Sequence, residues 1–399
     1  MNTRNILITI GSLILILLLG VWVYLMIYGT PENRGDVLKN LGFQPSNQGT
    51  TITPPSASDS IGLGEIVNTI GDNQALRQLT TRPVAGYIGR SVNGTTTDHV
   101  RYVERGTSHI YEIDLSTGVE SKISITTIPQ ITEAIFSPSG DIVALTNEQN
   151  YERRTYIATL QADQTLRTIE LEPNARDIVF LDDTTVQYVV SDQMGSIGYR
   201  QNLLSETRTS VFSFNHTSID TLWGDAGVTP VILTKPAPSL RGYMYRITGT
   251  TVTPVGRAVN GLTAFRNDNQ FILTYLTSDG YVNSVFDAAT AEEKVLPILT
   301  LKEKCDRNNV NAIFIWCGAP ITVSSNTFVD DWYKGIERSE DHLWLINLET
   351  ATAQLLINPE RILGRTLDVF TLKNSALGDM IFFLNKDDYT LWQYDLLLQ

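Results

Sequence analysis

The sequence predicts an all-β fold built from a repeated unit, and three observations support this prediction. First, a short phrase recurs at residues 110–115, 343–348 and 391–396: an apolar residue, an aromatic residue, two further residues, Asp or Asn, and Leu. Second, candidate strands are short and rich in β-branched and aromatic residues, with polar turns between them. Third, equivalent strands recur about every 40–45 residues, a spacing typical of β-propellers and stacked β arrays.

The number of repeats follows from the second strand of each unit. We expect these strands to begin near seven positions, namely Val100, Asp141, Val186, Val231, Phe271, Ala312 and Met380. The last interval is longer because it contains one insertion, at residues 319–341. This pattern predicts a seven-bladed β-propeller in residues 74–399, with six or eight blades as alternatives.

The two ends of the predicted propeller complement each other. Only three residues follow Leu396, so the last unit lacks a strand, whereas residues 75–80 form a candidate strand without a unit of its own. Pairing these segments would remove the exposed edge that an open array of sheets would leave. We therefore predict that the N-terminal strand around Leu76 closes the ring by pairing with the strand that contains Trp392.

Residues 134–144 carry a turn sequence that suggests a family. Their Phe-Ser-Pro-Ser-Gly segment resembles the aromatic-Ser-Pro-Asp-Gly turn of TolB-type, WD40-like propeller repeats, and Asp-Leu-Ser-Thr-Gly at residues 114–118 fits the same family. Residues 317–320 and 331–335 are also similar to segments of uncharacterised, membrane-anchored bacterial propeller proteins. The resemblance implies a propeller. Most propellers of this family are interaction platforms, and a minority are enzymes or enzyme caps.

The N-terminal segment predicts a membrane anchor. Residues 6–28 carry no charge and would span roughly 35 Å as a helix, enough for the hydrocarbon core of a bilayer. We predict a cytoplasmic tail at residues 1–4, an uncleaved transmembrane helix at 5–28, a flexible linker at 29–73 and an extracytoplasmic propeller at 74–399. A cleaved signal peptide is the alternative, but the segment offers no small-x-small cleavage site.

Composition narrows the possible partners. The net charge is −13 and no basic stripe occurs, which argues against nucleic acid as a partner. The sequence contains no Gly-x-Ser-x-Gly, His-Glu-x-x-His or EF-hand pattern, so we predict no catalytic residues, no metal ligands and no cofactor.

Acidic residues head four of the predicted first strands: Glu133, Asp177, Asp220 and Asp368. Because the innermost strands of a propeller line its central channel, these carboxylates are candidates for a partial ring that binds a cation or a basic peptide. The alternative is that they accept backbone N–H bonds where the chain enters each blade, or stay solvated.

The insertion supplies the second candidate surface. Trp332 and Tyr333 are large aromatic residues in an otherwise polar loop, and such residues are favoured anchors at protein interfaces. In the alternative interpretation, Trp332 folds back and covers its own blade. The two cysteines, Cys305 and Cys317, have a spacing that suits a disulfide across a hairpin, with a buried pair of free thiols as the alternative.

Taken together, these features predict a single-pass protein of the cytoplasmic membrane whose propeller binds or scaffolds other envelope proteins or peptides. The rival function is a carbohydrate hydrolase or lyase that uses carboxylates on the channel floor. Paired carboxylates in a deep pocket would favour the enzyme, and a shallow opening with exposed aromatic residues at its rim would favour the binding module.

Overall fold

The computed structural model describes residues 75–149, 152–225, 227–235, 237–249, 251–323 and 326–398. The predicted tail at 1–4, the predicted membrane helix at 5–28 and the predicted linker at 29–73 lie outside these ranges. None of the helices in the described ranges is long and apolar enough to cross a membrane.

The first half of the described chain forms antiparallel four-stranded sheets from consecutive strands. A short strand, β1 (Leu76–Gln78), precedes them. The first sheet contains β2 to β5 (Val84–Arg90, His99–Glu104, Ile110–Asp114, Glu120–Lys122), the second β6 to β9 (Ile131–Phe136, Ile142–Gln149, Glu152–Leu160, Leu166–Glu170), and the third β10 to β13 (Arg176–Asp182, Thr185–Asp192, Gly195–Asn202, Arg208–Phe214).

A seven-stranded sheet follows, and one long strand holds it together. It comprises β14 to β20 (Ile219–Leu222, Val231–Thr234, Arg241–Thr248, Thr251–Asn267, Gln270–Thr277, Gly280–Asp287, Glu293–Val295). The 17-residue strand β17 pairs with β16 through residues 251–260 and with β18 through residues 260–267. Gly261 adopts a left-handed φ of 62° at the register shift, a conformation that glycine takes without steric cost. The strand thereby passes from one set of strands to the next.

Two further four-stranded sheets complete the described chain. One contains β21 to β24 (Cys305–Arg307, Phe314–Pro320, Asp341–Asn347, Thr352–Ile357), and the other contains β25 to β27 (Val369–Asn374, Met380–Asn385, Leu391–Asp395) together with β1. Helix α1 (Phe328–Tyr333) lies in the connection from β22 to β23, and helix α2 (Pro359–Leu363) lies between β24 and β25. A 3₁₀ turn, Lys302–Lys304, directly precedes β21.

The predicted pairing of the N-terminal and C-terminal strands is confirmed. Strand β1 runs antiparallel to β27, with Leu76 opposite Tyr394 and Gln78 opposite Trp392. The backbone N–H of Leu79 donates to the Leu391 carbonyl at 2.7 Å and continues the pairing beyond the strand. The last sheet is therefore completed by the beginning of the described chain, and its β27 edge is covered.

The predicted strand spacing is also confirmed. The seven strands expected from the repeat begin at His99, Ile142, Thr185, Val231, Gln270, Phe314 and Met380. Each start lies within two residues of its predicted position. Consecutive four-stranded antiparallel units of this length are the building pattern of propeller-like folds.

Close contacts join strands of neighbouring sheets. A Cβ atom on Gly86 of β2 would lie 1.8 Å from the carbonyl oxygen of Ala134 on β6. Likewise, a Cβ atom on Gly318 of β22 would lie 2.6 Å from the Cβ atom of Val369 on β25. Glycine is required at these two positions because the neighbouring sheets approach too closely for a side chain.

We expect Gly86→Ala to lower the free energy of unfolding by about 1–3 kcal/mol, because the backbone of β6 would have to move to make room for the new methyl group. Chemical denaturation of both proteins measures the difference. Gly89→Ala is the control on the same strand, since its Cβ would meet the Phe382 and Thr97 side chains, at 2.6 and 3.2 Å, instead of a backbone atom. An equal loss in both variants would contradict the explanation.

Candidate functional site

Irregular pairing at the start of the first strands positions the polar residues there. Register shifts occur in β2 after Val84, in β6 after Ile131, in β10 after Arg176, in β17 after Asn260 and in β25 after Phe370. An extra residue in one strand of a pair bends that strand and redirects its side chains. The predicted acidic residues Glu133 and Asp177 lie within two of these irregular segments.

Each of the four predicted acidic residues has a separate polar partner. Glu133 pairs with Arg153, and Asp177 accepts a 2.8 Å hydrogen bond from the Thr221 backbone N–H through Oδ2. The other two pair with lysines: Asp220 lies 2.8 Å from Lys302 Nζ and 3.5 Å from Lys235 Nζ, and Asp368 lies 2.7 Å from Lys304 Nζ. The carboxylates therefore do not form one open ring of unpaired charge.

The environments of Asp177 and Asp220 push their pKa values in opposite directions. Burial, reinforced by the nearby charge of Asp220, raises the pKa of Asp177 above its ordinary value. Burial alone would also raise the pKa of Asp220, but the charges of Lys302 and Lys235 outweigh burial and lower it. The two lysines thus favour the ionised form of Asp220.

A buried polar cluster fastens the insertion to β25. Lys304 is 0% exposed, and its ammonium group donates to Asp341, Asp368, the Ser339 hydroxyl and the Val369 carbonyl. Burial raises the pKa of Asp341 to about 6 against the opposing effect of Lys304. For Asp368, burial is outweighed by Lys304 and by hydrogen bonds, and the pKa is lowered. Lys304 is therefore the shared cation of two buried carboxylates.

The two aromatic residues of the insertion have different positions. Trp332 is 1% exposed, its indole N–H donates to Asp368, and Lys304 lies 4.5 Å from its ring centroid. Trp332 packs in a cluster with Phe328, Leu301 and their neighbours, so it covers its own part of the fold and is not available as a surface anchor. Tyr333 is 42% exposed, and its hydroxyl donates to Glu303 at 2.7 Å. Of the two predicted anchors, Tyr333 is the one that reaches solvent.

The structure brings Asp220 and Tyr333 together at one cavity of about 390 Å³. We call it the α1 cavity, because Val329, Asp330 and Tyr333 of α1 form one of its walls. The remaining lining residues are Asp220, Lys235, Ala237, Pro238, Gly261, Thr263, Tyr281, Lys302 and Glu303. Its walls therefore come from β14, β17, β19, the 3₁₀ turn and the insertion.

A lysine held between two carboxylates forms the charged wall of the α1 cavity. The Lys302 ammonium lies 2.8 Å from Asp220 Oδ2 and 3.8 Å from Glu303 Oε1. Burial alone would lower the pKa of Lys302, but the charges of Glu303 and Asp220 outweigh it and raise the pKa above its ordinary value. Lys302 is consequently a cation near neutral pH and is unsuited to removing a proton from a substrate.

Sequence reasoning missed the residues that complete this site. Lys302 and Glu303 belong to a charged triplet that directly follows the apolar stretch at residues 295–301, and this change in composition was a usable signal. Thr263 and Tyr281 carried no signal, because they are ordinary strand residues until the fold places them beside α1.

The cysteines lie directly after this triplet. Cys305 on β21 is opposite Cys317 on β22, and the two form a disulfide with an S–S distance of 2.04 Å. Both side chains are buried in a cluster that also contains Ile315 and Ile346. The disulfide therefore joins the strand that follows Lys302 and Glu303 to the neighbouring strand of its own sheet.

Metal-ligating side chains do not converge in the part of the chain that the structure describes. No group of three or more His, Cys, Asp or Glu side chains with a suitable arrangement for a metal ion occurs there.

Comparisons with known proteins identify structural neighbours. No family model matches the sequence, and no curated protein matches it. An oligogalacturonate lyase in complex with manganese is 12% identical, with a TM-score of 0.55, over 80% of this chain and 93% of that chain. The β-propeller domain of the Trilobed protease from Pyrococcus furiosus is 10% identical, with a TM-score of 0.49, over 79% of this chain and 95% of that chain.

TolB from Acinetobacter baumannii is also among the structural neighbours. It is 14% identical, with a TM-score of 0.42, over 66% of this chain and 65% of that chain. The lyase match exceeds a TM-score of 0.5, and at 12% identity it shows a shared fold and nothing about activity. The described chain is therefore mainly β and has propeller-like neighbours.

Proposed function

We propose that this chain is a membrane-anchored, extracytoplasmic propeller that binds or scaffolds proteins or peptides of the cell envelope. The proposal includes seven blades. If the two halves of β17 are counted as two strands, the described strands form seven sets of four. It also includes a cytoplasmic tail at residues 1–4, a membrane helix at 5–28 and a flexible linker at 29–73. The disulfide between Cys305 and Cys317 supports an oxidising location for the propeller.

The observation that carries the binding role is the rim of the α1 cavity. Tyr333 is 42% exposed there and stands beside Glu303 and Asp330, which also line the cavity. An exposed tyrosine on a segment inserted into a rigid scaffold is a residue that protein interfaces favour. The likeness to propellers is consistent with a binding platform, but a shared fold does not identify the partner.

A carbohydrate lyase or hydrolase is the rival function, and the charge states of Lys302 and Asp220 argue against these two groups as its acid and base. Catalytic acids and bases need pKa values near the working pH. Lys302 has a raised pKa and Asp220 a lowered one, so both are held in their charged forms as partners of each other. These groups stabilise the cavity wall and are poorly placed to exchange protons with a substrate.

Photo-crosslinking tests the binding role. We expect a photo-reactive amino acid at position 333 of the full-length chain, expressed in its native cells, to crosslink to a discrete envelope protein upon illumination. Mass spectrometry identifies the adduct, and a reciprocal crosslink from the identified partner checks it. Tyr243, which is 41% exposed on β16, is the matched control position.

Two outcomes would contradict the proposal. One is the same set of adducts from positions 333 and 243, because this would show collision with abundant neighbours. The other is release of unsaturated products from oligogalacturonate by the purified chain, with Asp220→Asn abolishing that release, because this would establish the lyase instead.

A further inference from the structure

A second cavity, of about 490 Å³, lies beside the first half of β17. We call it the β17 cavity, and strands β16 to β20 all contribute to its lining. The residues that define it are Arg246, Val255, Arg257, Leu273, Phe286 and Glu293, which are separate from those that line the α1 cavity. Its volume lies in the range of pockets that hold a small ligand, about 300–1,000 Å³.

The lining of the β17 cavity is apolar where it is buried and polar where it meets solvent. Val255, Leu273 and Phe286 are buried and belong to one hydrophobic cluster. Thr253 and Arg257, which also line the cavity, are exposed. A ligand with an apolar group can therefore bury it against the cluster, while a longer chain attached to that ligand leaves the cavity on the exposed side.

Arg246 supplies a positive charge without a counterion to the β17 cavity. It is half-buried, and its guanidinium makes no hydrogen bond or ion pair within the residues that the structure describes. It lies directly opposite Thr253 on the neighbouring strand, so the two side chains share one face of the sheet. Arg241, at the start of the same strand, also has no such partner among the described residues, but it is exposed and water can solvate it.

The charges around Arg246 do not compensate it. Burial and the charge of Arg246 lower the pKa of Arg266, whose guanidinium donates to three backbone carbonyls at 2.9–3.1 Å. Of the acids near this pair, Asp225 is held by both terminal nitrogens of Arg307 at 3.0 Å, and Asp268 lies 4.0 Å from the same arginine. Three guanidinium groups thus share two carboxylates, which leaves one positive charge uncompensated.

Glu293, the acid in the defined lining, is already engaged by other groups. Its Oε1 atom accepts from the Ser284 hydroxyl at 2.7 Å, from the Tyr275 hydroxyl at 2.9 Å and from Arg257 at 3.2 Å. Its Oε2 atom accepts from Arg257 Nε at 3.1 Å. Arg257 therefore compensates the charge of Glu293, and the charge of Arg246 remains available to a ligand.

We propose that the β17 cavity binds the C-terminal residue of a peptide chain, with its carboxylate on Arg246 and its apolar side chain against Leu273 and Phe286. A guanidinium group matches a carboxylate with two parallel N–H donors. The exposed side at Thr253 leaves room for the preceding residues of the peptide, which favours a chain end over a free small acid. The inference goes beyond the proposed envelope-binding role, because it concerns a separate cavity and does not depend on that role.

The ligand test compares peptides that differ only at their C-terminal group. We expect acetyl-Ala-Ala-Leu with a free carboxylate to bind the full-length chain, kept in detergent, at least about tenfold more tightly than the same peptide with a C-terminal amide. Added salt should reduce this difference. The small acid 4-methylpentanoate, which carries the leucine side chain and a carboxylate without the peptide, should bind more weakly than the peptide acid. Titration calorimetry or ligand-observed NMR measures all three affinities.

The variant test separates a ligand-binding arginine from a structural one. Arg246→Gln should weaken binding of the peptide acid by at least about tenfold and leave binding of the amide unchanged. Its melting temperature should be unchanged or higher, because the substitution removes the repulsion between Arg246 and Arg266. Arg241→Gln, which makes the same change of charge on the same strand outside the cavity, is the control and should bind normally.

Several outcomes would overturn the inference. They are equal affinity for the acid and the amide, normal binding by Arg246→Gln, an equal loss in Arg241→Gln, and a clearly lower melting temperature for Arg246→Gln than for Arg241→Gln. Binding of 4-methylpentanoate as tightly as the peptide acid would reject the peptide and assign the cavity to small apolar acids. A partner crosslinked at position 333 without carboxylate-selective binding would retain the envelope role and reject this site, and the opposite pair of results would do the reverse.

Discussion

Deleting residues 75–80 is expected to abolish the single cooperative unfolding transition of the propeller or to lower its midpoint by far more than any point substitution. Strand β1 connects the last sheet to both of its neighbours. Leu76 is 1% exposed and packs in the cluster that contains Trp316 and Trp392, on the side of the β21–β24 sheet. Leu79 packs on the other side, with Val84 and Val100 of the first sheet.

The size of the effect follows from what the deletion removes. Full burial of each leucine contributes about 1.5–3 kcal/mol, and the pairing of β1 with β27 is lost as well. Arg77 also donates to the Leu115 carbonyl at 2.7 Å, which ties β1 to the first sheet. The total is comparable with the free energy of unfolding of a typical protein, about 5–15 kcal/mol.

A deletion of equal length in the predicted linker, at residues 51–56, is the control for the closing strand. Thermal and chemical unfolding, followed by calorimetry and circular dichroism, measure both variants. If the two deletions gave the same unfolding midpoint as the intact chain, then β1 would not contribute to the stability of the last sheet.

The second large effect is expected for Lys304→Met, which should lower the free energy of unfolding by about 3–5 kcal/mol. The substitution conserves most of the side-chain volume but leaves Asp341 and Asp368 buried without their cation. Asp368 would retain its hydrogen bonds from Trp332 and Ser339. Removing only one partner of a buried ion pair costs more free energy than the intact pair contributes, because the remaining buried charge cannot be solvated.

Two further variants test the electrostatic cause. Lys302→Met removes a neighbouring lysine that is 25% exposed, and we expect a smaller loss of about 1–2 kcal/mol because water can partly replace its interactions. Combining Lys304→Met with Asp341→Asn and Asp368→Asn removes all three charges and should restore part of the stability. Chemical denaturation at pH 7 compares the four proteins. A triple variant as unstable as Lys304→Met alone would assign the loss to packing.

Much of the strand order could be predicted from the sequence, because it depends on local patterns. Alternation and β-branched composition identify strands, and turn residues separate them. The starts of the second strands and the pairing of Leu76 with the β27 region followed from spacing and from the need to cover a sheet edge. The continuous β17 could not be predicted, since Gly256 and Gly261 suggest a turn and instead lie within one strand.

The candidate site was predictable only in part. The acidic residues Asp177 and Asp220 stood out because each heads a first strand, and Tyr333 stood out as an aromatic residue in a polar loop. Their partners did not, because Lys302 is 82 residues from Asp220 and Tyr333 is 30 residues from Glu303. Pairing between residues so far apart in the sequence depends on which sheets become neighbours, and no local sequence pattern predicts it.

The sequence alone determined a repeated β architecture, its strand spacing and the strand that completes its last sheet, because these follow from the alternation of side chains and from the need to pair backbone edges. Only the tertiary structure decided that the predicted acidic residues are individually paired and that Trp332 is buried while Tyr333 is exposed. It also decided that Thr263, Tyr281 and Glu303 share one cavity. The physical reason is that charge pairing and burial depend on three-dimensional proximity, whereas strand formation depends on neighbours along the chain.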